Sequence, residues 1–321
     1  MHDETRRVSP LRMTQSGKNV ALLRSLLNQA NTAANHPHGI VALTEADLPA
    51  LRLHLHSRLR EEEVFQAVRQ LPGLSQWHPQ SGEYILVTPW RHREDIISLR
   101  EVSAFHHESE LVAAVFAAAD QKGLAACITA ETYEKRRPIF YTRNGMELFE
   151  TIIAYHHERV VDFMDIIESP AQEFVPVTLD DPALLEQVME VDHAAFPWLW
   201  RNLPGEFHWW MSQPSVEVWA GIIDGEVASY YGTTLFQQLG HIDRIAVHPK
   251  YQGQRLGAET LHASLQRMAR MGLQKAALST QLGNPVSQRL YERTGFRRSA
   301  KDDYQMYGTL LSAAPDEAEQ T

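Results

Sequence analysis

The chain is poor in cysteine and in long apolar runs. Cys127 is its only cysteine among 321 residues, so no internal disulfide can form. It lies in the apolar stretch LAACIT with no basic residue close by, which favours a small buried side chain over a reactive thiol. No run of 18 apolar residues exists, and the polar first 19 residues carry no hydrophobic signal-peptide stretch. These absences predict a cytoplasmic protein that neither crosses a membrane nor is secreted.

Positive charge is also scarce, since 30 Lys and Arg face 40 Asp and Glu for a formal net charge of −10. This balance argues against a nucleic-acid partner. Residues 241–300 are the exception, with 10 basic against 3 acidic side chains. A basic segment inside an acidic chain favours a localised anionic ligand, and chance clustering on a solvated helix face is the alternative.

Paired histidines recur along the chain, at His36 and His38, His54 and His56, His106 and His107, and His156 and His157. No cysteine or carboxylate accompanies them at the spacing of a known metal site. We therefore interpret them as surface or helix-face histidines and predict no metal.

The length favours two domains, and the acidic, proline-containing stretch 165–176 marks the boundary between them. We predict a first domain at 1–170 and a second at 174–321, the latter with a disordered acidic tail. In the first, periodicity predicts helices at 20–30, 45–59, 61–70, 108–119 and 139–145, and strands at 84–88, 96–102, 124–129 and 147–156. In the second it predicts helices at 181–195, 257–270 and 285–294, and strands at 175–178, 217–223, 226–234, 241–247, 273–280 and 303–310.

A glycine-containing loop joins a strand to a helix within IAVHPKYQGQRLGAETL, residues 245–261. Unpaired N–H groups and the helix dipole at such a helix start both favour phosphate. Gly253 and Gly257 allow close approach of the backbone to a ligand, and Lys250 and Arg255 can supply positive charge. Neither the dinucleotide fingerprint nor the ATP-type phosphate loop is matched.

This segment resembles the CoA-binding motif Q/R-x-x-G-x-G/A of the GNAT superfamily of N-acyltransferases, which follows a strand and a V-x-P turn. The turn is Val247-His248-Pro249 here, and Gln252 to Ala258 follow it. One departure is plain, because Arg255 stands where the family usually has glycine. Downstream, the resemblance continues through Asn284, Tyr291 and Gly295-Phe296.

The resemblance implies an α/β (α+β) fold of two tandem GNAT-like domains, each a mixed, largely antiparallel twisted sheet flanked by helices. It also implies acetyl-CoA, or another short acyl-CoA, as co-substrate. The cofactor-binding residues carried over are Ile245, Ala246, Val247, Gln252, Gly253, Gln254, Arg255, Leu256, Gly257, Ala258, Asn284 and Tyr291.

The implied reaction is direct attack of an amine on the thioester, which needs a base and an acid. Tyr291 is the acid candidate for the sulfur, and a packed helix aromatic is the alternative reading. Asp243 is the base candidate, acting directly or through water, and His241 can share its face. Both can equally be ordinary strand-surface residues. Glu206 and His208, in the preceding loop region, are weaker candidates.

Aromatic residues cluster where the family places the loop that covers the acceptor: Phe196, Trp198, Trp200 and Trp210. They predict a wall suited to an apolar or flat acceptor, with core packing as the alternative. We expect the acceptor to be a primary amine, and we favour a small molecule over a peptide or protein.

The first half of the sequence contains a segment similar to one in the second half: residues Phe140 to Met146 parallel Leu290 to Phe296 at an offset of 150 residues. This indicates a tandem duplication. The same offset places residues 102–108 at the phosphate loop, and no glycine occurs there. We predict a degenerate first copy. If both copies have lost chemistry, the chain is a non-catalytic CoA-binding scaffold. The base, the acyl chain, the acceptor and the oligomeric state stay open.

Overall fold

A computed structural model describes residues 39–51, 57, 59–130, 138–164 and 170–312. These residues form two compact units. Unit 1 takes in 39–90, 94–149 and 306–312, and unit 2 takes in 91–93, 150–164 and 170–305, within those described ranges. The predicted helix at 20–30, the acidic tail, His36, His38, His54 and His56 lie outside them.

Strands and helices alternate along the described chain. The strands are β1 (Val41–Ala42), β2 (Gln76–His78), β3 (Glu83–Pro89), β4 (Ile96–Ser103), β5 (Ala126–Ala130), β6 (Glu147–His157), β7 (Glu173–Val177), β8 (Val216–Ile223), β9 (Glu226–Leu235), β10 (Leu239–Val247), β11 (Lys275–Gln281), β12 (Arg297–Arg298) and β13 (Tyr304–Leu310). The α-helices are α1 (Glu61–Gln70), α2 (Glu108–Gln121), α3 (Pro138–Arg143), α4 (Pro182–Ala195), α5 (Pro204–Met211), α6 (Leu256–Arg270) and α7 (Pro285–Arg293).

The two units have sheets of the same design. Unit 1 has the strand order β1-β2-β3-β4-β5-β13, in which β4 and β5 are parallel and the other pairs antiparallel. Unit 2 has the order β7-β8-β9-β10-β11-β6, in which β10 and β11 are the parallel pair, and β12 adds to β6. This confirms the predicted fold class of two mixed, largely antiparallel sheets with flanking helices.

The sixth strand of each sheet comes from the other half of the sequence. Strand β6 closes the first half of the chain, but its residues 152–157 pair with β11 in unit 2. Strand β13 closes the second half, but its residues 306–310 pair with β5 in unit 1. Local sequence patterns carry no information about such an exchange. The domain division at 1–170 and 174–321 stays a prediction about the two halves of the sequence.

Helices cover both faces of the sheet in unit 2. Leu261, Leu265 and Met268 of α6 pack with Ile242 and Leu278 on one face. On the other, Leu185, Val188 and Val191 of α4 and Phe207 of α5 pack with side chains of β8, β9 and β10. In unit 1, Leu111, Val112 and Val115 of α2 pack on Ile85 and Val87 of β3. Apolar residues at helical spacing therefore meet alternate residues of the strands, as burial of one face of each element requires.

Most predicted elements are confirmed within a few residues, and two expectations are wrong. The predicted helix 45–59 is a short 3-10 turn at Glu45–Ala50, because Leu51 is already extended. Glu206 and His208 lie on α5 and not in a loop. Cys127 is fully buried, as predicted, and burial raises the pKa of its thiol to about 12.

Within the described part of the chain, no helix is long and apolar enough to cross a bilayer. The same residues contain no cluster of three His, Cys, Asp or Glu side chains placed to hold a metal ion. His107 instead contacts Glu83, and His156 contacts Asp302.

Candidate active site

Strand β10 separates from its parallel neighbour halfway along its length. The pairing with β11 runs from Leu239 to Ile242 and stops there, although β10 continues to Val247. Beyond that point β11 stays paired with β6, and β10 stays paired with β9. Among the described residues, the edge of 243–247 that faces away from β9 therefore has no partner strand. Its backbone N–H and C=O groups can pair with an extended ligand.

A β-bulge marks the point of separation. Ile242 pairs with Thr233 and Arg244 pairs with Gly232, so Asp243 is the extra residue of β10. Bulges re-aim side chains next to active sites. Here the bulge presents Asp243 beside Thr234, whose hydroxyl donates to Asp243 Oδ2 at 2.6 Å.

The loop that follows β10 ends in a set of unpaired backbone donors. In the described chain, the N–H groups of Gly253, Gln254, Arg255, Leu256 and Gly257 have no protein acceptor. They lie at the start of α6, a helix of 15 residues. The nearby carboxylate of Glu259 is held by the backbone N–H of Gln172 at 2.9 Å. This arrangement suits a phosphate group, which accepts several hydrogen bonds and is favoured by the helix dipole.

Arg255 adopts the conformation that glycine favours. Its φ of 67° and ψ of 6° lie in the left-handed region, and it is the residue that immediately precedes α6. A side chain there costs about 1–2 kcal/mol, which explains in physical terms why glycine suits this position. Arg255 is exposed, so its guanidinium is available to an anion near the loop. Lys250, the other predicted cation, instead pairs with Glu226 at 2.7 Å.

Gly257 lies where three elements converge. A Cβ at this position would be 3.7 Å from both Val247 at the end of β10 and Leu290 of α7, which is ordinary contact. Gln252 fixes the loop by donating from Nε2 to the Val247 carbonyl at 3.1 Å. The structure therefore brings together the predicted loop, the end of the strand and the face of α7.

Asn284, Ser287 and Tyr291 are linked along α7. Asn284 caps the helix by accepting from the Ser287 N–H at 3.2 Å, and its amide donates to Ser287 Oγ at 2.9 Å. Tyr291 is 4% exposed and packs edge-on against Tyr155, with ring centroids 5.9 Å apart. Burial raises the pKa of Tyr291 to about 12, although a hydrogen bond with Ser287 lowers it. The phenol is therefore protonated at neutral pH.

His241 and Asp243 form a contact that the sequence only suggested. His241 Nδ1 lies 2.7 Å from Asp243 Oδ1, and both side chains are partly exposed. Thr234 lies opposite His241 in the β9·β10 register and bonds the other Asp243 oxygen. In the tautomer whose Nδ1–H donates to Asp243, the Nε2 atom of the ring is free to accept a proton, as a general base requires.

A buried ion pair organises the aromatic segment. Arg244, beside Asp243, pairs with the buried Asp192 of α4 and donates to the Trp200 carbonyl at 2.9 Å. The ring of Phe196 lies 3.9 Å from the Arg244 guanidinium. Asp192 also accepts from the Asn202 N–H at 2.8 Å. Two predicted wall residues are thus tied to the strand that carries the candidate base.

Trp210 rests on a glycine of β9. A Cβ at Gly232 would lie 2.0 Å from the Trp210 ring, so only glycine admits the indole there. Gly232 is two residues from Thr234 and shares its sheet face. Trp210 therefore lies on the same face as the His241–Asp243 pair.

The segment Arg91–Arg93, which unit 2 includes, fixes the remaining wall residues. Arg93 donates to the Trp198 carbonyl at 3.0 Å, and Arg91 donates to Asn202 at 2.5 Å and to Glu206 at 3.0 Å. Burial raises the pKa of Glu206, although Arg91 opposes this, and its Oε2 has no partner in the described residues. Trp198, Trp200, Phe196 and Trp210 are all half-buried.

Sequence reasoning missed Arg244, Asp192 and the Arg91–Arg93 segment. One signal was present for Arg244, because an arginine in the apolar alternation of β10 requires a buried partner. Asp192 lies at the C-terminal end of the otherwise apolar buried face of α4 and offered the matching carboxylate. Arg91–Arg93 gave no local signal.

Comparison with known proteins defines the class. Residues 185–296 match the family model for the acetyltransferase (GNAT) family. A Bacillus subtilis (strain 168) protein named as a [ribosomal protein bS18]-alanine N-acetyltransferase is 23% identical over 113 residues, which are 35% of this chain and 74% of that protein. N-alpha-acetyltransferase 30 of Schizosaccharomyces pombe (strain 972) is 37% identical over 67 residues, which are 21% of this chain and 43% of that protein.

The fold has a solved counterpart of the same tandem kind. A tandem GNAT protein from the clavulanic acid biosynthesis pathway aligns with a TM-score of 0.51 at 13% identity, covering 87% of this chain and 99% of that one. At that identity the likeness concerns the fold. The chain therefore carries an acetyltransferase (GNAT) family domain at residues 185–296, and the relatives of that domain are named as N-acetyltransferases. It spans less than half the length of the yeast relative.

Proposed function

We propose that the chain is an N-acetyltransferase that moves an acetyl group, or another short acyl group, from acyl-CoA to a primary amine. The observation that carries the proposal is the run of N–H groups at 253–257, which have no acceptor among the described residues, beside the edge of β10 at 243–247, which has no partner strand there. One feature suits the diphosphate of CoA, and the other suits its extended pantetheine arm.

The residues present fit this ligand. The backbone at Ile245, Ala246 and Val247 can pair with the pantetheine amides in the manner of an added strand. The loop amides can bind the diphosphate, with Gly257 leaving room between Val247 and Leu290. No carboxylate is hydrogen-bonded to these amides in the described chain, so the anion meets no internal competitor.

His241 and Asp243 supply the base in our proposal. Asp243 holds Nδ1 of His241, which leaves Nε2 to take a proton from the acceptor ammonium. The neutral amine then attacks the thioester carbonyl carbon, forming the C–N bond as the C–S bond breaks. A backbone N–H near Val247 polarises the carbonyl. Tyr291, which is linked through Ser287 to Asn284, protonates the departing thiolate. Its phenolate then takes the proton that the acylated nitrogen releases, and the proton held by His241 passes to solvent.

The acceptor wall supports a small amine with an apolar or flat body. Trp210 packs against Gly232 on the sheet face that carries the His241–Asp243 pair, and Phe196, Trp198 and Trp200 line the segment held by Arg244 and Arg93. A second acceptor class is the α-amine of a peptide. The names of the two curated relatives, an alanine N-acetyltransferase and an N-alpha-acetyltransferase, favour it.

The test combines binding with turnover. Titration calorimetry with acetyl-CoA measures binding, and release of free CoA thiol is then followed with small aromatic amines, aminoglycosides and peptides with free N-termini. We expect binding, and thiol release with at least one amine class. Binding without release from any class would favour the non-catalytic scaffold. The identity of the productive class decides between the small-molecule and the peptide acceptor.

A further inference from the structure

Unit 1 repeats the geometry that surrounds the acyl-CoA loop of unit 2. Strand β4 pairs in parallel with β5 only at Ile96 and Ile97, although β4 continues to Ser103. It too carries a bulge, since Leu99 pairs with Val87 and Glu101 with Leu86. Helix α2 follows β4 and begins at Glu108, just as α6 follows β10 and begins at Leu256. The sheet and helix of a GNAT cradle are therefore preserved in unit 1.

The connection between strand and helix differs in length. Four residues, 104–107, join β4 to α2, whereas eight, 248–255, join β10 to α6. The shorter connection has no glycine, yet it still ends in backbone donors at a helix start.

Those donors are filled by the chain itself. The Glu83 carboxylate accepts from the N–H groups of Phe105 at 2.9 Å, His106 at 2.8 Å and His107 at 3.1 Å. It also contacts the His107 ring nitrogen Nδ1 at 2.5 Å. Glu83 is 6% exposed, and burial opposes its ionisation, but the hydrogen bonds from His106, His107 and Phe105 lower its pKa to about 2. The group is thus a buried anion at a helix N-terminus.

The strand registers identify the residue in unit 2 that corresponds to Glu83. Leu86 and Gly232 each face the residue that follows the bulge of the neighbouring strand. Glu83 lies three residues before Leu86, and Ser229 lies three residues before Gly232. Ser229 is buried, and its hydroxyl bonds Gln172 at 2.5 Å and Thr260 at 2.8 Å. Its short side chain leaves the loop amides of unit 2 to a ligand.

We propose that Glu83 is an internal replacement for the diphosphate, filling the anion site of unit 1 with the protein's own carboxylate. The chain then binds one acyl-CoA, in unit 2, and unit 1 keeps the fold without the ligand. The anion that unit 1 accepts is a carboxylate or a small oxyanion, matched to three amides and the His107 ring.

Anion rescue tests this assignment without any measurement of activity. In Glu83→Ala the amides of 105–107 lose their acceptor, so the thermal unfolding midpoint falls by several degrees. Inorganic phosphate then raises that midpoint more than sodium chloride of equal ionic strength does. The matched control is Glu101→Ala, which removes a buried carboxylate of β4 that accepts from the hydroxyls of Tyr84 and Ser57. An equal response to phosphate in both variants, or in the wild type, overturns the assignment.

If Glu83→Ala does not fold, two further measurements test whether Glu83 replaces the diphosphate in unit 1. Glu83→Gln keeps the size of the side chain but not its charge, and it has a lower unfolding midpoint at pH 7 than the wild type. A midpoint equal to that of the wild type contradicts the need for an anion. Calorimetry of the wild type with acetyl-CoA gives a stoichiometry of one, and a value of two shows that unit 1 also takes the ligand.

Discussion

His241 Nδ1 and Asp243 Oδ1 lie 2.7 Å apart, at the point where β10 leaves β11. The bulge at Asp243 makes this contact, because it displaces one residue from the ladder and turns its carboxylate toward Thr234 and His241. The pair lies on the sheet face that carries Trp210, and the unpaired edge of β10 begins beside it. The base, the acceptor wall and the thioester path of the proposed reaction therefore meet at one bulge.

Replacing either member of this pair slows the proposed reaction. We expect His241→Gln to lower kcat by 10²-fold or more, since a positioned general base typically contributes about 10²–10⁴-fold. Asp243→Asn lowers kcat less, because the histidine stays but its tautomer is no longer fixed. Release of free CoA thiol at saturating acetyl-CoA and acceptor measures kcat for both variants. An unchanged kcat in His241→Gln assigns the base elsewhere.

Two substitutions at Arg255 distinguish the effect of backbone strain on stability from the effect of charge on acetyl-CoA binding. Arg255→Gly removes the side chain from a residue at φ 67° and raises the free energy of unfolding by about 1 kcal/mol. Arg255→Ala keeps the strain and gives no such gain. Both variants lose the guanidinium, so both weaken acetyl-CoA binding by a similar factor. Urea unfolding and calorimetry on the two variants check this, and equal stability of Gly and Ala at 255 would contradict the strained conformation.

Gly232 and Trp210 are coupled by contact. Gly232→Ala places a Cβ 2.0 Å from the indole and costs about 1–3 kcal/mol, as overpacking does. In the Trp210→Ala background the same change is nearly neutral, because the clash is gone. A double-mutant cycle on the free energy of unfolding in urea measures the coupling between the two residues.

The Trp210→Ala variant also raises KM for the acceptor, while its affinity for acetyl-CoA is unchanged. A rise in the Kd for acetyl-CoA instead would remove Trp210 from the acceptor wall.

Glu83 makes the stability of unit 1 sensitive to acid. Its folded pKa of about 2 lies below the ordinary value of 4.5, so its contribution is fully present above pH 4.5 and is lost as the pH falls toward 2. The difference amounts to roughly 3 kcal/mol at most. His107, and His78 stacked on it, are the titratable groups that face the carboxylate. The stability gap between wild type and Glu83→Gln, measured by urea unfolding, therefore narrows from pH 5 to pH 3. A gap that stays constant over this range contradicts the assigned ionisation.

Local chemistry made much of the fold predictable. The helix Glu61–Gln70 is found at its predicted bounds, and Asp224-Gly225, with φ of 50° and 84°, joins the strands predicted at 217–223 and 226–234 in a tight turn. Asp181 starts α4 as expected, by accepting from the Leu184 N–H at 3.1 Å. These signals depend on residues adjacent in sequence, so no tertiary information was needed.

What escaped prediction depends on distant parts of the chain. The exchange of β6 and β13 joins residues at least 119 positions apart, and no periodicity encodes it. Strand β2, with three residues, is too short to show alternation. The motif identified the loop Gln252–Gly257, but it did not show that the N–H groups of 253–257 lack acceptors in the described chain, because that depends on the folded backbone. Glu83 lies just before the predicted strand 84–88 and gave no local signal, because the N–H groups that donate to its carboxylate are 22–24 residues away.

Acetyl-CoA titration of the Gly257→Glu variant tests the central claim most directly. A Cβ at this position makes only ordinary contacts, and the carboxylate and bulk beyond it fill the space beside Val247 and the loop amides. Ala183→Glu is the matched control, because it places the same side chain at the second residue of α4, where it is exposed. We predict that wild type and Ala183→Glu each bind one acetyl-CoA and that Gly257→Glu binds none. Undiminished binding by Gly257→Glu, or no binding by the wild type, would contradict the account.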